Sequence, residues 1–497
     1  MEYSRGELRS VFVAVTLALF LGSLDMAAIP TALPAIGEVL NNTGDVTWVM
    51  TAYMLAATVT APIYGKLSDI FGNRKMFITA LSIFTLGATL CACAGNIWQL
   101  ILFRLVQGMG SGGLMVLAFI TVGKIVPLSK QGLYQGLLAG IFSLAALLGP
   151  LLGGMVTQYL SWRWMFILYI PLAMTALLIT LKSLKPLPIQ NQSRQIDIAG
   201  AILLTIWIVD FLFLINHFRN ILASAFAITP EFIGLACGAV VFLILFILQE
   251  KRAINPLLPL KLFQNPVFVV SIIAIFISST SSFAATFFLP QYFQMVIGVT
   301  PTVSGVLLEP VQIGMIIGPI ISGWLVARFM SYRDCLLFGV GLAAAMFFML
   351  AWPDDLLVIS AVAIPILVIL GVGLGMIMPL ITVIIQNSVD KSSIGSATAS
   401  LGLARSMGSL IGVVLFGMVY SGSLAWQLAN TGLKNSTIQG VLINGSKEVG
   451  NLSGNEHNIV IGIFSNAFNV IFLTAGILAL ISWGVILFMK RLTLSDN

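Results

Sequence analysis

Five ionisable side chains stand inside long apolar runs of this chain: Asp25, Arg104, Asp210, Glu309 and Arg405. A charge at hydrocarbon depth is expensive, so such residues face a water-filled cavity or one another. At a helical rise of 1.5 Å per residue, Asp25 falls about 21 Å from the start of its run, and Arg104 about 9 Å from the far end of its own. In a hydrocarbon core of about 30 Å these depths coincide, so the two are expected to face one another, either as a neutral structural pair or as a titrating one. Glu309, about 12 Å from the outer end of its run, and Arg405, some 17 Å above the inner start of another, place a second carboxylate and guanidinium in the other half of the chain. A movement that changes the separation of an acid and a base in such surroundings changes proton affinity. The chemistry expected is therefore proton exchange, with Asp25 and Glu309 as proton or cation sites and Arg104 tuning the first. For Arg405, packing or backbone contacts are an equal reading. Asp210, followed by His217 and Arg219, is expected in a structural role at the membrane interface.

The elements that position these residues follow from composition. Only 8% of the 497 residues are charged and 59% are hydrophobic, far from the usage of soluble domains, so the bilayer is the solvent. Apolar runs of about 20 residues, long enough to span as helices, recur fourteen times, from 11–37 to 459–489. The alternation of a β-barrel is absent. The first run continues past Asp25 without a small-residue cleavage pattern and is expected to remain as the first span. Two polar or proline-punctuated linkers, KSLKPLPIQNQSRQ and EKRAINPLLPLKLFQNP, divide the chain into six, two and six spans. The expected units are 1–184, a six-helix bundle; 185–250, a linker with two extra helices; and 251–497, a second six-helix bundle with an external loop near 422–458.

An even number of spans puts both termini on one side. Of the 24 Lys and Arg, Arg104 and Arg405 lie within spans and Arg163, Arg219, Lys434 and Lys447 fall outside; the remaining eighteen lie on the terminal side, which makes that side cytoplasmic. This placement, rather than nucleic acid, accounts for the net charge of +6, since no basic cluster carries interleaved aromatics. Cys91, Cys93, Cys237 and Cys335 lack metal-ligand spacing and read as small apolar fillers. No nucleophile with a base partner, metal cluster or nucleotide-binding Gly-Lys motif is present, which argues against an enzyme and against ATP as the energy source. The N-x-S/T triplets at Asn435, Asn444 and Asn451 matter as glycosylation sites only in a eukaryotic secretory route, and an Asn-, Gly- and Ser-rich loop is expected to produce them by chance.

Four stretches carry a resemblance. After the second span, GKLSDIFGNRK holds Gly65, Leu67, Asp69, Gly72, Arg74 and Lys75 in an order close to G-x-L-a-D-r-x-G-r-k. The fourth span carries Arg104, Gln107 and Gly108 as R-x-x-q-G. The fifth carries Gly140, Gly149-Pro150 and Gly153-Gly154. The first holds LDMAAIPTALP, with Asp25 in its acidic position. Together they resemble the major facilitator superfamily, and within it the fourteen-helix branch of drug:proton antiporters. Lys124 and Gln131 depart from its pattern, standing where Asp and Arg are common.

The resemblance implies an all-α membrane protein of two six-helix bundles plus an inserted pair, exporting amphipathic drugs or toxic organic compounds by alternating access. A proton gradient in place of any cofactor would drive it, in a cell membrane, as a monomer whose partners are the lipid bilayer and a small amphipathic substrate. It also implies that Gly140, Gly149, Pro150, Gly153 and Gly154 mark exchange rather than symport. Physically, the glycines of the 65–75 stretch permit a tight turn, while Asp69 can pair with Arg74, Lys75 or a neighbouring helix amino terminus, forming a gating latch. Met26, Trp48, Tyr53, Phe283, Phe287, Phe288, Tyr292 and Met315 are candidates for lining an adaptable cavity, alongside plain packing roles. An exporter of one endogenous metabolite or lipid, or a membrane receptor without transport, remains open.

Overall fold

The computed structural model describes residues 4–41, 45–186, 197–223, 229–328, 331–352, 360–429 and 455–489. The triplets at Asn435, Asn444 and Asn451, with Arg194, Lys434, Lys447, Lys490 and Arg491, lie outside the described residues, as does the side chain of Arg219. Among the described residues the secondary structure is helical throughout. The first half holds α1 (Arg5–Val39), α2 (Thr47–Phe71), α3 (Asn73–Ala92), α4 (Ile97–Ile125), α5 (Leu128–Tyr159) and α6 (Arg163–Ser183). The inserted pair is α7 (Ile198–Ala223) and α8 (Pro230–Arg252). Then follow α9 (Pro266–Phe283), joined through a wide turn at Ala284–Phe288 to α10 (Leu289–Met295) as one rod, then α11 (Pro301–Arg328), α12 (Tyr332–Leu350), α13 (Ser360–Ser388), α14 (Ile394–Ala429) and α15 (Asn455–Leu487).

Thirteen of these fourteen rods are long and apolar enough to cross a membrane by length and composition. The exception, α2, is 25 residues long, and its mean hydropathy is lowered by Thr51, Tyr53, Thr58, Thr60 and Tyr64. Helix starts are set locally. Ser4 and Glu7 form a reciprocal capping box on α1, Asn96 accepts from the Gln99 amide to open α4, and Thr229-Pro230 and Asn265-Pro266 pair a capping side chain with proline at the first helical position.

Two large apolar cores hold the two bundles. One draws chiefly on α1–α6 and includes Leu19, Phe77, Phe84, Leu117 and Phe166. The other draws on α9–α15 and includes Phe268, Phe293, Phe347, Leu370 and Phe472. A third, small core, with Leu204 and Ile208 of α7, Phe246 of α8, Val59 of α2 and Leu257, docks the inserted pair. Between α2 and α3 only Gly72 leaves helical geometry, with φ of 89°, a conformation open to glycine at little cost. The turn expected over the whole 65–75 stretch is thus confined to one residue. Gly65 is helical, and it serves close approach instead, because a Cβ there would meet Ala399 and the Gly395 carbonyl of α14.

Candidate functional site

Arg104 and Asp25 meet inside the first bundle. Arg104 Nη1 donates to Asp25 Oδ2 at 2.7 Å and Oδ1 at 2.9 Å, and both side chains are 0% exposed. Gln107 extends the cluster: its Oε1 accepts from Arg104 Nη1 at 2.8 Å and its Nε2 donates to Asp25 Oδ1 at 3.4 Å. The guanidinium also donates through Nε to the Val49 carbonyl at 3.3 Å. Glycines of α4 let neighbouring helices close around this group, since a Cβ at Gly108 would strike the Tyr53 carbonyl of α2 and one at Gly110 the backbone of α3 at Phe84. Arg104 Nη2 is buried without a partner among the described residues, so the pair has a spare donor in reach of any rearrangement.

Tyr53 is the layer between this pair and open space. Its ring lies 4.0 Å from the Arg104 guanidinium carbon, a cation–π contact, and its hydroxyl donates to Ser111 Oγ at 2.6 Å or the Gly22 carbonyl at 3.1 Å. Tyr53 also lines a cavity of about 580 Å³ bounded by α1, α2, α4 and α5 of the first bundle, by α14 of the second and by α7 along its flank. Met26, Trp48, Met115, Phe142, Phe213 and Arg405 are among its lining residues. The inserted pair therefore supplies part of the wall, and the Phe213 ring lies 5.9 Å from that of Trp48.

At the face where α1 begins and α15 ends, polar side chains join the bundles. Asp69, at the end of α2, accepts from Lys124 Nζ at 2.9 Å, from the Gly395 amide at 3.1 Å, and from the amide and hydroxyl of Ser396 at 2.9 and 3.3 Å. A carboxylate thus caps the positive end of α14 from across the bundle interface. Of the partners expected for Asp69, the helix amino terminus is the one found. Arg74 instead donates to the Leu181 carbonyl of α6 at 2.8 Å, and Lys124, a departure from the family pattern, is the ion-pair partner. Beside it runs an amide ladder: Gln135 Nε2 donates to Gln386 Oε1 at 2.9 Å, Gln386 Nε2 to the Phe119 carbonyl at 3.1 Å, and Asn387 Nδ2 to Gln131 Oε1 at 2.7 Å. Sequence reasoning passed over Gln135, Gln386 and Asn387; amides within one or two turns of a span's end, among apolar neighbours, were the available signal.

The remaining candidates are dispersed. Glu309, on α11, is not among the cavity-lining residues, and its Oε2 is buried without a partner among the described residues. It forms no ion pair with Arg405, which projects from α14 into the cavity with its guanidinium 5.5 Å from the Phe142 ring. Met26, Trp48 and Tyr53 line the cavity, whereas Phe283, Phe287, Phe288, Tyr292 and Met315 do not. Phe283 stacks on Phe287 at 5.1 Å, and Phe288 packs against Phe416. Tyr292 meets Phe468 edge-on in the second core, and the Met315 carbonyl accepts from Ser143.

In α5, which runs unbroken through Pro150, Gly136 and Gly140 face the α11 carbonyls of Pro319 and Ile316, while Gly149 and Gly153 face α1 at Ala27 and Ala28. Gly154 faces open space. Asp210 sits midway along α7 against Gly238 of α8, where a Cβ would lie 3.1 Å from its carboxylate oxygens. His217 Nε2 is 2.8 Å from Thr229 Oγ1, at the cap of α8. Cys91 and Cys335 are buried, and Cys93 and Cys237 exposed.

The profile of the Major Facilitator Superfamily matches residues 15–413. The chain belongs to the major facilitator superfamily. This is a family of multi-pass membrane transporters, not enzymes, and the fourteen-rod arrangement is its fold with two extra helices between the bundles. Among its relatives are the Multidrug transporter protein MdtP of Bacillus subtilis, 32% identical over 82% of this chain and 74% of that one, and Multidrug resistance protein 3 of Bacillus subtilis, 29% identical over 97% and 95%. Solved structures share the major facilitator fold at low identity. The human organic anion transporter MFSD10 superposes with a TM-score of 0.64 at 15% identity, covering 97% of this chain and all of that one. The proton:xylose symporter XylE superposes with a TM-score of 0.62 at 13% identity, covering 98% and 97%.

Proposed function

We propose that this chain is a proton-coupled efflux antiporter that exports amphipathic drug-like compounds by alternating access. Relatives named as multidrug transporters support the class of cargo. The observation that carries the coupling is the Asp25–Arg104 pair, fully buried and separated from the cavity by the Tyr53 ring.

A cargo molecule settling in the cavity presses on the same Tyr53 that braces the guanidinium. Protonation of Asp25 removes one charge of the pair and leaves Arg104 to seek other acceptors, with Gln107 and the Val49 carbonyl already in contact. The described state is closed at the face bearing Asp69 and the amide ladder, a face we take as cytoplasmic, with both termini there and the bilayer a cell membrane. Opening it requires Asp69 to release α14 as the bundles rock about the central site. Glu309 is carried forward as a second proton site on α11. The working units are 1–184, 185–250 and 251–497, acting as a monomer with a bilayer and a small substrate as its only partners.

The test is export in proteoliposomes under an imposed pH gradient, with the uncharged amphipath N-phenyl-1-naphthylamine as cargo. Wild type should move it in proportion to the gradient, and Asp25→Asn should bind it yet show no gradient-driven movement. Gradient-driven export by Asp25→Asn at the wild-type rate would remove this pair from the mechanism.

A further inference from the structure

The cavity carries charge of one sign. Among its 23 lining residues Arg405 alone is ionised at neutral pH, and none is Asp or Glu. Asp25 lies behind this wall, but it is 0% exposed and already committed to Arg104, so it offers no negative charge to an occupant. Among the described residues Arg405 has no carboxylate within ion-pair distance, and its Nε is buried without an acceptor. Its one charge-compensating contact there is the face of Phe142 at 5.5 Å, weaker than a carboxylate or sulfonate would supply.

We propose that the cavity selects amphipathic anions. The anionic group, a carboxylate, sulfonate or phosphate, takes the free edge of Arg405. Hydroxyls of Ser406 and Thr51 are at hand, and the apolar body lies against Trp48, Met54, Met115 and Phe213. The preference has a simple physical origin. A guanidinium in apolar surroundings lacks the solvation it had in water, an anion restores it through paired N–H bonds, and a cation in the same space meets repulsion with no carboxylate to offset it. Methionine and aromatic walls adapt to many shapes, which leaves charge as the selective feature. The inference deepens the export reading and rests on the same cavity.

The experiment uses the full-length protein in phosphatidylcholine nanodiscs, with empty nanodiscs as the baseline. Three fluorescent probes are compared: 1-anilinonaphthalene-8-sulfonate, its uncharged counterpart N-phenyl-1-naphthylamine, and cationic rhodamine 6G. Wild type should bind the sulfonate at least about tenfold more tightly than the uncharged probe, the scale of one hydrogen bond to a charged group. Arg405→Gln should erase that difference, Arg405→Lys should keep most of it, and Arg405→Glu should shift preference toward rhodamine 6G. Equal or weaker sulfonate binding in wild type overturns the proposal, as does sulfonate binding unchanged in Arg405→Gln. Should the glutamine variant fail to fold, the wild-type probe comparison and Arg405→Lys decide the matter alone. Gradient-driven export of N-phenyl-1-naphthylamine with no sulfonate preference would sink the anion site and leave the export reading standing. Sulfonate preference with no gradient-driven movement of any probe would do the reverse.

Discussion

Replacing Asp25 with Asn is the most informative perturbation, because stability and coupling respond to it separately. In the native bundle the carboxylate accepts two charge-assisted bonds from one guanidinium nitrogen and a longer one from Gln107, with no solvent access to either partner. Asparagine keeps the shape and one acceptor but leaves Arg104 an uncompensated buried cation, a change that costs about 3–5 kcal/mol when one member of a buried pair is removed. If the first bundle melts as a unit of under 200 residues, that corresponds to a fall of roughly 10 °C in its unfolding midpoint. The double variant Asp25→Asn/Arg104→Gln removes both charges and should recover most of the loss. It should not recover gradient-driven export. The assay is thermal unfolding of the purified protein in nanodiscs, followed by proteoliposome transport of the same preparations. A single variant as stable as wild type, or a double variant no more stable than the single, would refute the claim that these two charges hold each other inside the bundle.

Other expectations follow from the same geometry. Asp69→Asn removes the charge that caps α14 and pairs with Lys124, costing about 1–2 kcal/mol of closure, so labelling of an engineered Ala399→Cys by an impermeant thiol reagent should rise roughly tenfold from the terminal face. Unaltered labelling would remove Asp69 from the gate. Gln386→Leu removes the two bonds that Gln386 makes across the interface, from Gln135 and to the Phe119 carbonyl, while Gln135 keeps its own bond to that carbonyl; it should open the same face by a comparable factor, read by the same labelling. Two adjacent glycines of α5 should behave oppositely. Gly153→Ala strikes the Ala28 carbonyl and Thr31 and should cost about 1–3 kcal/mol of stability, whereas Gly154→Ala meets nothing within 4 Å and should be neutral or slightly stabilising. Thermal unfolding distinguishes them, and equal effects would contradict the packing of α5 on α1.

What was readable in the chain itself was depth. A bilayer fixes how many apolar residues a span requires, so the fourteen runs, their order and the level of each buried charge follow from counting along the sequence. For that reason the meeting of Asp25 with Arg104 was foreseeable although 79 positions separate them. Direction around each helix axis was not readable in the same way. These spans are apolar on nearly every side, leaving no amphipathic stripe to say which residues face a cavity, a neighbour or lipid. Trp48 and Tyr53 thus reach the cavity while Phe283 and Tyr292 do not, and Glu309 and Arg405, near one level, point to different places. Asp69 shows the limit most clearly: its acidity and position were plain, but the amides it accepts from at Gly395 and Ser396 lie over 320 positions away, and only the docking of one bundle on the other brings that helix end to a carboxylate already paired with Lys124.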